Sequence, residues 1–507
     1  MNSKTWTCII TLTLFAALAL PLQLAAQHKA KQDHHHNFHH YQLIDLGTLG
    51  GANSGFGPPV CCAPILNEQG TAAADAETTT PDPFPGLCFN PDCLTSHAVA
   101  WQDGVLTDLG ALPGGGSSLP NWISANGLSA GLSENGVTDP LVPGLPEFRA
   151  AFWQDGAITD LGTLGGGYEA VAYAVNSRGQ VAGATTNTIP DPFSLDGNLG
   201  VPYQTRAFLW QNGVMQDLGT LGGPDADANL MNERGQIAGA SYINSTPNPN
   251  NGPNCDPNRP TVDQFLWEHG KMIDLGSLGG TCSFASAINN RGQVAGSSSL
   301  TGDQEIHPTL WDHGTLTDLG TFGGTSGYTN WINEKGAVVG AALYPGDTIN
   351  HAALWKKGVM TDLGTLPGYG CSSAQWINSS DQIVGGFYAC DNSVSAASLW
   401  EKGSMVDLNT LIPPNSALHL DSALDINDEG EIAGQGSTSN GDTHAFLLIP
   451  CDENHSGVEG CDYSLADAVA AAPSQTPGYH PSGMHPLPKS RRTNWSYLRG
   501  LGATQQN

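Results

Sequence analysis

Basic residues are scarce in this sequence. Of 507 residues, 18 are Lys or Arg against 47 Asp or Glu, which sets the formal net charge at −29. Such a chain repels phosphate backbones and anionic bilayers, so nucleic-acid binding and adhesion to a lipid surface are excluded. Charge of either sign is short: 13% of the chain, where about 25% is usual. Long apolar runs are also missing. The clearest, Cys8–Leu20, has 13 residues, short of the roughly 20 that a membrane helix needs; no membrane span is expected. With 64 Gly and 33 Pro, a helix-rich architecture is excluded too, because both residues break helices. The familiar catalytic strings are absent: no Gly-x-x-x-x-Gly-Lys-Ser/Thr, no His-Glu-x-x-His and no Gly-x-Ser-x-Gly occurs. A site assembled from separated loops would leave no such string.

What is present begins with an address. Lys4, the apolar run, Pro21 and the small residues up to Ala26 read as an export signal over residues 1–26. Residues 27–40 form a flexible His-rich segment in which His34, His35, His36, His39 and His40 are weak metal-ligand candidates, since a mobile tract fixes no coordination geometry. Setting Cys8 aside leaves ten Cys, an even number that points to disulfides in an oxidising compartment. The expected location is secreted, with the periplasm as the other oxidising option.

The main signal is internal repetition. Asp-Leu-Gly, once as Asp-Leu-Asn, starts at Asp45, Asp108, Asp160, Asp217, Asp274, Asp318, Asp362 and Asp407. An Ile-Asn-x-x-Gly-like string is centred on Asn67, Ser124, Asn176, Asn232, Asn289, Asn333, Asn378 and Asn427. An Ala-Phe-Leu-Trp-like string ends at Trp101, Trp153, Trp210, Trp267, Trp311, Trp355, Trp400 and Leu448. Each unit therefore holds four short β-prone runs: strand one ending in Asp-Leu-Gly, strand two in Ile-Asn, strand three Gly-x-Val-Ala-Gly-like and strand four Ala-Phe-Leu-Trp. Tight turns with Gly at the positive-φ position join two to three and four to one. The minimum spacing of 44 residues suits one propeller blade. The chain starts with an orphan strand one at Tyr41 and ends with an orphan strand four at His444–Leu448. Their pairing would close the ring and remove the exposed sheet edges. The expected fold is all-β: a closed β-propeller of eight four-stranded blades over residues 41–450. A disulfide-closed knob and a disordered tail follow over residues 451–507.

These strings resemble those of the HAF family of bacterial extracellular repeat proteins; His351-Ala-Ala-Leu-Trp and His444-Ala-Phe stand nearest to its naming triplet. The resemblance spans about 410 residues, with Asp381 in place of a turn Gly and Leu448 in place of the last Trp. It implies an exported β-repeat protein and no established reaction.

Regular recurrence assigns the repeated Trp, including Trp122, Trp331 and Trp376 in strand two, to packing between sheets. It assigns the eight Asp to bracing of neighbouring turns and not to a charged channel, in which they would repel one another. The links one-to-two and three-to-four share one face and vary in length, and variable loops on a rigid scaffold are where binding resides. Which link crosses between blades is left open by the sequence. The candidate ligand-binding residues on that face are Phe84, Phe89, Asp139, Asp191, Phe193, Tyr203, Tyr242, Asp303, Tyr344 and Tyr388. No cofactor is required; Ca²⁺ held by Asp139, Asp191, Asp196 and Asp303 is a secondary stabiliser to test. Phase and facing predict the disulfides Cys371–Cys390, Cys255–Cys282 and Cys451–Cys461, with Cys61 and Cys62 taking Cys88 and Cys93 in an order left open. The functional expectation is a monomeric, non-catalytic binding scaffold for an extracellular glycan, an envelope protein or a small ligand. Two alternatives are a propeller enzyme (lyase, hydrolase or quinoprotein-like) on the same face, and a structural matrix component. Convergent titratable residues in a deep funnel would favour the enzyme; self-association would favour the matrix component.

Overall fold

The structure, a computed structural model, describes residues 38–56, 63–84, 88–90, 92–141, 144–195, 203–248, 255, 259–455 and 461. The export signal, His34, His35, His36, Cys61, Cys62, Asp196 and the C-terminal tail lie outside them. The described residues form thirty-two β-strands and one short 3₁₀ turn at Leu408–Thr410. The strands run from Tyr41 to Pro450.

The strands associate in chain order into antiparallel sheets of four. Ser118–Ile123, Ser129–Thr138, Pro146–Gln154 and Ala157–Asp160 make one such sheet, hydrogen-bonded in that order. A sheet thus takes strands two, three and four of one repeat and strand one of the next, and the one-to-two link is the one that crosses between sheets. Six sheets of this kind stand separately; two further ones are joined into an eight-stranded sheet by a parallel bridge between Val262 and Cys282. The orphan strands meet as expected. Tyr41–Asp45 pairs antiparallel with Thr443–Pro450, Tyr41 opposite Pro450 and Asp45 opposite Phe446, and completes the sheet begun by Leu418–Ile426. The fold is an all-β, propeller-like succession of four-stranded sheets.

Burial grades across each sheet. Strand two is buried along its length, as in Ala170–Val175, whereas strand one is largely exposed, as in Val105–Asp108. Strand two carries a β-bulge at the same place in seven sheets, for example between Ala172 and Ala174 and between Thr329 and Trp331. The bulge explains the Gly of Val-Ala-Gly in strand three. A Cβ on Gly183 or Gly340 would lie 2.1 or 2.0 Å from the carbonyl oxygen of Val171 or Tyr328, a separation no side chain tolerates. Ala74 takes this place in the first repeat, where strand three pairs with Gly50–Gly55 and Ala73 N–H donates to Ile65 O. At the four-to-one turns both central residues have positive φ, as in Asp103 (50°) and Gly104 (83°); this is the hairpin geometry that matches strand twist.

The Trp of strand four pack as expected. Trp101, Trp153, Trp267 and Trp355 are buried among side chains of neighbouring sheets. The Asp of Asp-Leu-Gly brace their own turns: Asp108 accepts from the Gly110 N–H at 2.7 Å and Asp217 from the Gly219 N–H at 2.8 Å. They lie on the exposed strand and not in a buried setting, and six of them pair with a cross-strand cation, as in Arg206–Asp217 at 3.0 Å, or a histidine, as in His444–Asp45 at 2.9 Å.

Four disulfides lie among the described residues. Cys371–Cys390, Cys255–Cys282 and Cys451–Cys461 form as expected. The pairing expected for Cys88 and Cys93 is corrected: they bond to each other, with Cα atoms 4.9 Å apart. The three-to-four link folds back on itself, with Cys93 N–H donating to Asn90 O and Cys93 O accepting from Asp82 N–H. A turn at Cys93, φ 58°, brings the two sulfurs together within one loop. Strand two of the first repeat starts at Gly50, upstream of Cys61 and Cys62, and not beyond them as the one-to-two assignment required.

Candidate binding cavity

Strand two ends in Asn, and that residue does two tasks. Asn232 Oδ1 accepts from the Arg234 and Gln236 N–H groups, both at 3.0 Å, closing its own turn. Its Nδ2 donates to the carbonyl oxygen of Asn289 in the next repeat at 2.9 Å. The same reach runs from Asn176 to Asn232, Asn289 to Asn333, Asn333 to Asn378, Asn378 to Asn427 and Asn427 to Asn67. A second tier uses the following residue. Glu233, Asn290, Glu334, Asp428 and Glu68 each accept, through a side-chain oxygen, the backbone N–H of the preceding repeat's turn. Neighbouring turns are thereby stitched twice, by amide and by carboxylate or amide oxygen.

The line of asparagine bonds breaks at the second repeat. Ser124 stands where the others have Asn; its hydroxyl donates to Asn126 Oδ1 within its own turn, and Asn126 Nδ2 reaches the Ser177 carbonyl oxygen of the next repeat at 3.0 Å. Asn67 Nδ2 has no hydrogen-bond partner, although the residue is only 5% exposed.

These strand ends surround a cavity of about 230 Å³ to which seven of the eight repeats contribute. Its walls combine apolar side chains, with Trp122, Met231, Ile288, Trp331, Trp376 and Ile426 prominent, and polar ones from the turn asparagines. Trp331 and Trp376 are stacked, ring centroids 3.5 Å apart and planes 15° from parallel. Glu68, Glu233, Glu334, Asp428 and the more deeply set Asp425 also line it, with no Lys, Arg, His or Cys among the lining residues. Enclosure, reinforced by the charges of Asp428, Glu429 and Glu431, raises Glu68 above the ordinary carboxyl range. Behind it Asp425 is fully buried and pushed up to about 7 by that burial, and it accepts from the Ile65 and Leu66 N–H groups at 2.9 and 3.0 Å.

The residues expected to bind ligand on the long-loop face are held in the loops' own structure. Phe84 N–H donates to Asp82, and Phe89 packs edge-on against Phe148. Asp139 and Asp191 are buried and cap their own loops through the Leu141 and Phe193 N–H groups. Tyr242 is buried and donates to Phe193 O at 2.9 Å, while Tyr203 opens a strand opposite Pro190. Asp303 accepts from Thr281 N–H and from the Thr281 and Ser299 hydroxyls. Tyr344 stacks on Phe322 and donates to Asp362; Tyr388 accepts from Asn350. These residues are spread over different sheets, and Asp139, Asp191 and Asp303 do not meet at one point. Among the described residues no group of three or more His, Cys, Asp or Glu is arranged to hold a metal ion. His40 contributes its carbonyl oxygen to Cys451 N–H. The cavity residues were visible in the sequence as repeat positions; what marks them is Asn followed by an acidic or amide residue at the end of strand two.

No family model matches the chain, and no curated protein does. Solved structures do. The β-propeller domain of the trilobed protease of Pyrococcus furiosus is similar at 9% identity, over 73% of this chain and 97% of that one, with a TM-score of 0.39. Dipeptidyl peptidase 4 of Porphyromonas gingivalis is similar at 10% identity over 75% of this chain and 58% of that one, TM-score 0.41. A gluconolactonase of Xanthomonas campestris is similar at 10% identity over 81% of this chain and 89% of that one, TM-score 0.30.

Proposed function

We propose that the protein is an exported, non-catalytic binding scaffold of the HAF-repeat type, built as a closed propeller of eight blades, whose ligand enters the cavity among the strand-two ends. The observation that carries this reading is the cavity itself: a Trp-lined recess with carboxylates and a buried amide donor. Recessed apolar walls with a few polar groups are what small-ligand sites offer. The site lies on the face of the tight turns, opposite the one favoured by loop length, because the long-loop aromatics and carboxylates are taken up in stiffening the loops. Four disulfides agree with an oxidising compartment. The closed ring is supported by the Tyr41–Asp45 pairing with Thr443–Pro450 and by the Asn427 bond to Asn67.

The test is a fluorescence and calorimetric screen of the mature protein against a broad panel of glycans and small polar organic compounds. Saturable binding that quenches tryptophan emission, and that is lost in Trp331→Ala while the melting temperature stays high, supports the reading. A panel without any saturable binder, or with binders indifferent to Trp331→Ala, sinks it.

A further inference from the structure

The chemistry of the cavity narrows the ligand, on the premise that the cavity is the binding site. Three requirements follow from its lining. The first is size. About 230 Å³ lies below the roughly 300–1,000 Å³ of pockets that take drug-sized molecules, so the occupant is about one ring in extent. Its body must suit an indole surface, because Trp122, Trp331 and Trp376 are the aromatic side chains of the walls.

The second requirement is charge. Five acidic side chains line the cavity and no cationic one does. Each of the five accepts a neighbouring backbone N–H through an oxygen, and for Glu68, Glu233, Glu334 and Asp428 this fixes the position without neutralising the charge. An anion is repelled there. A cation is attracted by the carboxylates and by the indole faces together.

The third requirement comes from Asn67. A buried donor left unpaired costs roughly 1–3 kcal/mol, and the six stitched asparagines avoid that cost by reaching the next repeat. Asn67 lines the cavity with its Nδ2 unpartnered, so an occupant carrying an acceptor oxygen recovers this cost. A bare alkylammonium has no such oxygen, and a neutral sugar has no positive charge. We propose that the cavity binds a protonated amino sugar, its ring face on the tryptophans, its ammonium among Glu68, Asp428 and their counterparts, and a hydroxyl oxygen accepting from Asn67 Nδ2.

Calorimetric titration of the full mature protein with glucosamine, glucose, N-acetylglucosamine and tetramethylammonium at about pH 6 decides this. Glucosamine should bind at least tenfold tighter than each of the other three. Raising the salt concentration should erode the advantage over glucose and leave glucose binding nearly unchanged. Asn67→Ala should weaken glucosamine several-fold and tetramethylammonium not at all, and Glu68→Gln should narrow the glucosamine–glucose gap. If these turn substitutions disturb folding, the salt dependence measured on the unaltered protein still decides the charge requirement. Glucose binding as tightly as glucosamine overturns the amino-sugar assignment and leaves the binding-cavity reading standing. Tetramethylammonium binding as tightly overturns the role given to Asn67. Absence of binding by all four also overturns the assignment, while the cavity reading falls only if the broader panel fails as well. A glucosamine oligomer binding tighter than the monomer identifies a chain end as the natural source; equal affinities identify the free sugar.

Discussion

The asparagine at the end of strand two is the residue on which two levels of structure depend. Its Oδ1 shapes a turn and its Nδ2 ties that turn to the next repeat. Asn289→Ala removes both functions and leaves the Asn333 carbonyl and local N–H groups without their partner. Asn67→Ala removes only the first, because Asn67 Nδ2 has no partner to lose. The expected outcome is a larger fall in the urea midpoint for Asn289→Ala, by about 1 kcal/mol in free energy. Buried carboxyls set a second expectation at this scale. Burial raises Glu134, Asp225 and Asp425 each to about 7 and Asp227 to about 6. In the unfolded chain they titrate near about 4. Between those limits the folded protein holds protons that the unfolded chain has released, so stability falls as pH rises from about 4 to about 7 and then levels. His419, raised by its hydrogen bond to Asp421, acts in the same direction. The melting temperature should be several degrees higher at pH 5 than at pH 8; an equal or higher value at pH 8 contradicts the assignment of these groups as buried acids.

At the scale of the element, the sheets are fastened unevenly. Cys255–Cys282 spans 27 residues and ties two successive sheets at the place where Val262 bridges Cys282. Cys88–Cys93 closes a loop of 5 residues within one link. Chain-entropy reasoning gives roughly 3–4 kcal/mol for the first and roughly 2 kcal/mol for the second. Replacing Cys255 and Cys282 by Ser should therefore lower the denaturation midpoint more than replacing Cys88 and Cys93. The elements were largely legible in the sequence, because strands, tight turns and their phase recur in every repeat. The bulge was not. Strand two reads Ala170-Val-Ala-Tyr-Ala-Val175 and is buried throughout, so one extra residue leaves no break in an alternating pattern. Its trace was the Gly of strand three, which looked like a β-compatible small residue until the carbonyl opposite it was placed. Facing limited the Cys pairing to one side of the molecule but could not separate a partner across the blade from one five residues away. The cavity was hidden for a related reason. Trp122, Trp331 and Trp376 sit at repeat positions, and repetition reads as packing; only the convergence of strand ends from seven repeats turns the same side chains into a wall.

At the scale of the whole molecule, the proposed closure has a direct test. Removing residues 442–507 deletes the partner of Tyr41–Asp45 and leaves two sheet edges open. The truncated protein should unfold in one cooperative transition many degrees below the full mature chain. A melting temperature within a degree or two of the parent contradicts the closed ring.

The line of asparagine bonds has a direction and a gap. Each amide reaches forward, from the third repeat through the eighth and on to Asn67, and the line is interrupted on both sides of Ser124. The first and last described strands therefore lie beside a well-stitched joint, where Asn427 reaches Asn67, Asp428 N–H donates to Glu68 and Asp425 accepts from Ile65 and Leu66. Around the second repeat other bonds take over, from Ile123 N–H to Pro64 O and from Asn126 Nδ2 to Ser177 O. A circular permutant that joins Pro450 to Tyr41 through a linker and opens the chain between Asp108 and Ser118 would cut the molecule where the asparagine line is already interrupted, and the order of repeats along the chain would change with little change in the folded protein.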